Sequence, residues 1–80
     1  MTRAEVYKVL NKVFQDVFDD PDIRVNDDTV ADDIDGWDSL EHINLISAVE
    51  KKFKMRFKMK EVSTMKDVGE MVDIIMARMK

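Results

Sequence analysis

An 80-residue chain that is 45% apolar and 38% charged folds as one small globular domain, residues 1–80, which excludes a large enzyme. With no cysteine it also excludes disulfide staples, thiolate metal sites and thiol nucleophiles, so packing alone must hold it. A net charge of −4 disfavours nucleic acid, and the longest apolar run, Ile74 to Ala77, is far short of the roughly 20 residues that membrane insertion needs.

Arg3, Glu5 and Lys8 interrupt the N-terminal turns, so the apolar core of a signal peptide is missing and a cytoplasmic location is expected. Two glycines and one proline leave long uninterrupted stretches, which predicts an all-helical chain. The first helix runs from about Thr2 to Phe18, with Val6, Leu10, Val13 and Val17 at spacings of three and four. Thr2 and Glu5 form a capping box at its start. From Asp19 to Asp38 there is no helical period, nine of the seventeen acidic residues occur, and Pro21, Ile23, Val25, Val30 and Ile34 are scattered apolar anchors. A connection this long in a compact domain usually carries function.

The second helix is expected from Ser39 to Phe53, with Asp38 as N-cap and Glu41 three residues on. Lys51 to Lys60 alternates basic residues with Phe53, Met55, Phe57 and Met59, which is a strand pattern. With no second strand to pair with, it reads as an extended connector with a short helical turn near Met59 to Val62. The last helix is expected from Thr64, as its cap, to Met79, burying Met65, Val68, Val72, Ile75 and Met79. Gly69 falls inside it and costs about 1 kcal/mol relative to alanine unless close packing requires it.

The stretch Asp35-Gly36-Trp37-Asp38-Ser39-Leu40-Glu41-His42-Ile43 is the most informative. A serine in the first turn of a helix, after an acidic loop, is exposed and sits at the positive end of the helix dipole. A phosphate ester attached there is stabilised by that dipole and by the free first-turn amides. At about 100° per residue, Leu45, Ile46, Val49 and Phe53 share one face, while Leu40 and Ile43 lie on another side, next to Ser39. Those two are surplus to the core and form a small docking patch with Ser47 and Glu50 further along.

Over essentially its whole length the chain resembles an acyl carrier protein. The resemblance is carried by the Asp38-Ser39-Leu40 tripeptide, the pattern of Leu45, Ile46, Glu50 and Phe53, the Phe53 to Phe57 segment, and Val68-Gly69-Glu70-Met71-Val72. It implies an all-α four-helix bundle with a long first loop and a short third helix, and a carrier with no catalysis of its own. By the same resemblance Ser39 carries phosphopantetheine, a covalent group donated by coenzyme A through a phosphopantetheinyl transferase, flanked by Asp38 and Leu40. The thiol of that group would hold cargo as a thioester. The implied partners are an acyl-loading ligase or synthase and acyl-transfer enzymes of fatty-acid, polyketide or specialised lipid biosynthesis. They would dock on a monomer through Trp37, Leu40, Glu41, Ile43, Ser47 and Glu50. From Asp38 to Lys54, three acids balance three bases, whereas the family's best-known fatty-acid carriers are strongly acidic there. That departure and Trp37 point to a discrete carrier with its own loading enzyme.

Plainer readings stand beside these. Ser39 also fits an ordinary capping box, and a small helical interaction adaptor without a prosthetic group is the alternative function. A G-D-S-L hydrolase serine fails because Gly36 stands two places before Asp38. His42 fits boundary packing better than a base, since no orienting acid follows it. Trp37 either stacks on the attached arm or a partner, or anchors the loop on the bundle. Asp27, Asp28, Asp32 and Asp33 lack the EF-hand order, which leaves weak divalent binding or a solvated acidic surface. The methionines are core fillers that could also line a cavity for cargo. Two phenylalanines among six cations in Lys51 to Lys60 suit core plugs better than a nucleic-acid platform.

Overall fold

The computed structural model of the chain describes residues 1–79. Four helices follow in order: α1 (Arg3–Val17), α2 (Ser39–Phe53), α3 (Met59–Thr64) and α4 (Val68–Arg78), with one 3-10 turn, Ala31–Asp33, in the first loop. The all-α bundle with a long first loop and a short third helix is therefore observed as expected.

Two ends of α1 and α2 are fixed by their caps. At α1, Thr2 Oγ1 accepts the Glu5 amide at 3.1 Å and Glu5 Oε1 accepts the Thr2 amide at 2.7 Å. At α2, Asp38 Oδ1 accepts the Glu41 amide at 2.8 Å. The apolar stripe of α1 (Val6, Leu10, Val13, Phe14) packs with the α2 stripe (Leu45, Ile46, Val49, Phe53), and α4 closes the core with Val68, Met71, Val72 and Ile75. Each such side chain, fully buried, contributes on the order of 1.5–3 kcal/mol.

The last helix begins later than its periodicity suggests. Thr64 is not its cap but the end of α3, with its hydroxyl donating to the Lys60 carbonyl at 2.8 Å. Asp67 is the N-cap, accepting the Glu70 amide at 2.9 Å. The reason is tertiary: the Val68 and Gly69 amides are donated to the loop carbonyls of Thr29 (2.9 Å) and Asp27 (3.1 Å), partners available only if the helix starts there. Met65 consequently packs from an extended residue outside α4. Gly69 sits at the second position of α4, and a Cβ there would lie 2.7 Å from the Asp27 carbonyl oxygen, so close packing does require it.

The long loop is held along its length. Asn11 Oδ1 accepts the Val25 amide at 2.7 Å, and Val25 and Thr29 are buried. Arg3 bridges Asp27 and Asp73, at 2.8 Å each, and the Tyr7 hydroxyl donates to Asp27. Tyr7 and Arg3 together hold the Asp27 carboxyl below the usual aspartate range. Burial and the Asp27 hydrogen bond push the Tyr7 phenol up.

After Phe53 the chain turns through Lys54, whose φ of 54° is left-handed, and runs extended to Lys58. The missing strand partner is replaced by a side chain: Glu50 Oε2 accepts the Phe57 amide at 2.8 Å. The short turn expected near Met59 to Val62 is a full helix to Thr64, and the Glu61–Arg78 ion pair at 2.9 Å ties it to α4. Arg78 holds the Glu61 carboxyl below its usual range.

Candidate functional site

Ser39 is the first residue of α2 and is exposed. The approach to it is shaped by Gly36, whose φ of +86° admits only a residue without a β-carbon at low cost, and by the Trp37 amide donating to Ile34 at 3.3 Å. The chain thus enters α2 with Asp38 extended and its carboxylate on the Glu41 amide. Among the described residues, the Ser39 hydroxyl and the Ser39 and Leu40 amides make no hydrogen bond within the protein. At α4, by contrast, the corresponding amides are taken by the loop. The first turn of α2 therefore offers free donors beside a free hydroxyl, a setting suited to an anionic ester.

Trp37 packs between elements. Its ring meets Phe14 edge-on at 5.3 Å, Phe18 at 6.0 Å, and lies nearly parallel to His42 at 5.9 Å. The indole N–H donates to His42 Nδ1 at 3.0 Å. That assigns the proton of neutral His42 to Nε2, which faces the Val62 carbonyl at 3.3 Å. Of the two roles open to Trp37, the anchoring one is therefore observed. His42 is a half-buried bridge from the loop to α3, with both ring nitrogens engaged, and so is not a free base for Ser39.

Leu40 and Ile43 are 67% and 63% exposed, while the next turn of α2 enters the core. Glu41 accepts from the Asn44 side chain at 3.1 Å. Trp37, Asp38, Ser39, Leu40, Glu41 and Ile43 thus gather at one end of α2. Ser47 and Glu50 do not join them: eight residues separate Ser47 from Ser39, about 12 Å along the helix, and both line a different cleft with Lys51, Lys54 and Arg56. Glu50 is half-buried, with its carboxylate on the Phe57 amide.

An open cavity of about 430 Å³ adjoins Ser39, lined also by Ala31, Trp37, His42, Val62, Met65 and Lys66. Sequence reasoning assigns Met65 to the buried stripe of the last helix and places no residue of α3 or of the segment after it at the site. The only signal was the three-residue spacing of Val62 and Met65, which does not say what they face. Asp27 leaves the group of candidate cation ligands, because its carboxylate is engaged by Arg3 and Tyr7. Among the described residues no cluster of three acids or histidines could hold a metal ion. No helix among them is long and apolar enough to cross a membrane.

No protein-family model and no curated protein matches the chain. A solved structure does: the solution NMR structure of holo acyl carrier protein from Geobacter metallireducens. It is 38% identical, with a TM-score of 0.85 over 91% of this chain and 84% of that one.

Proposed function

Since the chain belongs to the acyl carrier protein family, we propose that Ser39 is the attachment point of a phosphopantetheine arm and that the protein carries acyl groups between partner enzymes. The carrying observation is the pairing of that kinship with an exposed, unpartnered serine hydroxyl at the head of α2. The residues present suit the group: a phosphodiester on Ser39 Oγ would meet the free first-turn amides of Ser39 and Leu40 and the positive end of the dipole. When bound, the arm supplies a terminal thiol, which this cysteine-free chain cannot provide itself, to hold cargo as a thioester.

The chain's own residues position and protect that point. Asp38 fixes the first turn of α2. Trp37 and His42 clamp the loop and α3 around the cavity beside Ser39. Leu40 and Ile43, with Trp37 and Glu41 at the margin, form the apolar patch for the phosphopantetheinyl transferase and for acyl-loading and acyl-transfer enzymes. Ser47 and Glu50 extend this contact only for a partner that follows α2 toward its far end. Because α2 and the turn after it balance acids with bases, we assign the carrier to a dedicated loading ligase or synthase of fatty-acid, polyketide or specialised lipid biosynthesis.

Incubation with coenzyme A and a broad-specificity phosphopantetheinyl transferase tests the assignment. The wild-type chain gains one phosphopantetheine by intact mass, and Ser39→Ala gains none. Modification of both, or of neither, contradicts the proposal. Loading by a general fatty-acid transacylase at the rate of a housekeeping carrier would contradict the dedicated-partner part alone.

A further inference from the structure

Attachment at Ser39 makes no use of the basic run Lys51 to Lys60, which holds six of the chain's thirteen cations. Phe53, the last residue of α2, and Phe57, in the segment after it, are only 3% and 9% exposed, while Lys54, Arg56 and Lys58 are exposed to solvent. Lys51 and Lys52 in the last turn of α2, and Lys60 in the first turn of α3, are exposed as well. Among the described residues none of the six forms an ion pair. The acids nearest in sequence are engaged elsewhere. Glu50 accepts the Phe57 amide, and Glu61 holds Arg78 and the Lys58 amide. Asp16, across a cleft shared with Lys51 and Lys52, pairs with Lys12 at 3.6 Å. A chain of net charge −4 thus presents a basic face along Lys51 to Lys60 that forms no ion pair among the described residues, with Glu50 the acid that shares a cleft with Lys51, Lys54 and Arg56.

We infer that this face docks on an anionic lipid headgroup surface. Five of the six cations are lysine, the compact point charge that suits a diffuse negative surface. A protein interface of paired carboxylates would favour arginine, and lysine is depleted there. Nucleic acid fits less well, because both phenylalanines of the run are core residues and offer no base a stacking platform. What the run does expose is Met59, at 86%, a flexible apolar side chain between Lys58 and Lys60 that a headgroup layer can take up. With this face against the bilayer, Lys51 and Lys52 lie about 18–20 Å along α2 from Ser39, while α3 leads from Lys60 back through Val62 to the cavity beside Ser39. Repulsion of the acidic loop and attraction of the basic face together orient the domain on an anionic surface.

Co-sedimentation with vesicles tests this, and it is independent of the Ser39 assignment, because Ser39→Ala should bind equally. The probes are phosphatidylcholine vesicles with about 30 mol% phosphatidylserine, against pure phosphatidylcholine, at about 50 mM and about 500 mM salt. Wild type binds only the anionic vesicles, and only at the lower salt. Lys51→Gln/Arg56→Gln/Lys60→Gln, confirmed as folded by its helical circular dichroism, binds on the order of a hundredfold more weakly. Absence of binding to anionic vesicles at low salt overturns the inference. So does equal binding by the folded triple variant, or tighter salt-sensitive binding to a polyuridine oligomer, which would give the surface to nucleic acid.

Discussion

At the scale of single residues, the site depends on side chains that each hold two elements. Trp37 joins the loop to α1 through Phe14 and Phe18 and reaches α3 through His42. Trp37→Phe keeps most of the ring packing but leaves His42 Nδ1 without its donor. Urea unfolding should report a loss of about 1 kcal/mol. Asp27 plays the same joining part for α1, the loop and α4. Its carboxyl is held below the ordinary value of 3.8 by Tyr7 and Arg3, so its charged form stabilises the fold above that pH, and the contribution is lost as pH falls through the lower folded value. Glu61, lowered from 4.5 by Arg78, adds to the same acid loss. Tyr7 works at the other extreme: its phenol is raised, so its contribution is intact below pH 10.0 and lost above it. In urea titrations from pH 7 downward, the stability gap between wild type and Asp27→Asn should narrow below about pH 4. A gap that stays constant to pH 2 would contradict the network. Arg3 and Tyr7 stand one turn apart on α1, but nothing in the sequence joins them to Asp27 and Asp73, which are distant along the chain, so the network was not legible beforehand.

Among the elements, α1 and α2 were readable because cap chemistry and a 3.6-residue apolar period agree at both. The start of α4 was not, because it is set by loop carbonyls that no local pattern announces. Thr64 and Asp67 are both competent caps, and the contacts of Val68 and Gly69 with the loop choose Asp67. Gly69→Ala must push the Asp27 backbone away, so a loss of about 1–3 kcal/mol is expected by thermal or urea unfolding. The connector after α2 was half legible: its alternation predicted the inward phenylalanines, but not that Glu50 would stand in for a strand partner. Nor did the sequence indicate that a lysine would adopt the left-handed turn. Lys54→Gly removes that strain and should stabilise the protein by about 0.5–1 kcal/mol, measured by urea midpoint at constant slope.

Across the whole molecule, charge is segregated into two runs. Acidic residues crowd the loop beside Ser39, and cations without ion pairs among the described residues run from the last turn of α2 through the connector into α3. The sequence disclosed the two runs, and only the fold shows that the basic one starts at the far end of α2 and leads back through α3 to the cavity beside Ser39. The arrangement presents the proposed attachment point, its apolar patch and its cavity at one pole of the bundle. All of this depends on Ser39 being the carrier hydroxyl, and the chain offers two rival serines: Ser47, exposed midway along α2, and Ser63, whose hydroxyl donates to the Lys60 carbonyl. The direct measurement is peptide mapping by tandem mass spectrometry after treatment with coenzyme A and a broad-specificity transferase. Phosphopantetheine on the peptide containing Ser39, and on neither other serine, is the predicted result; an unmodified chain, or the group on Ser47 or Ser63, would contradict it.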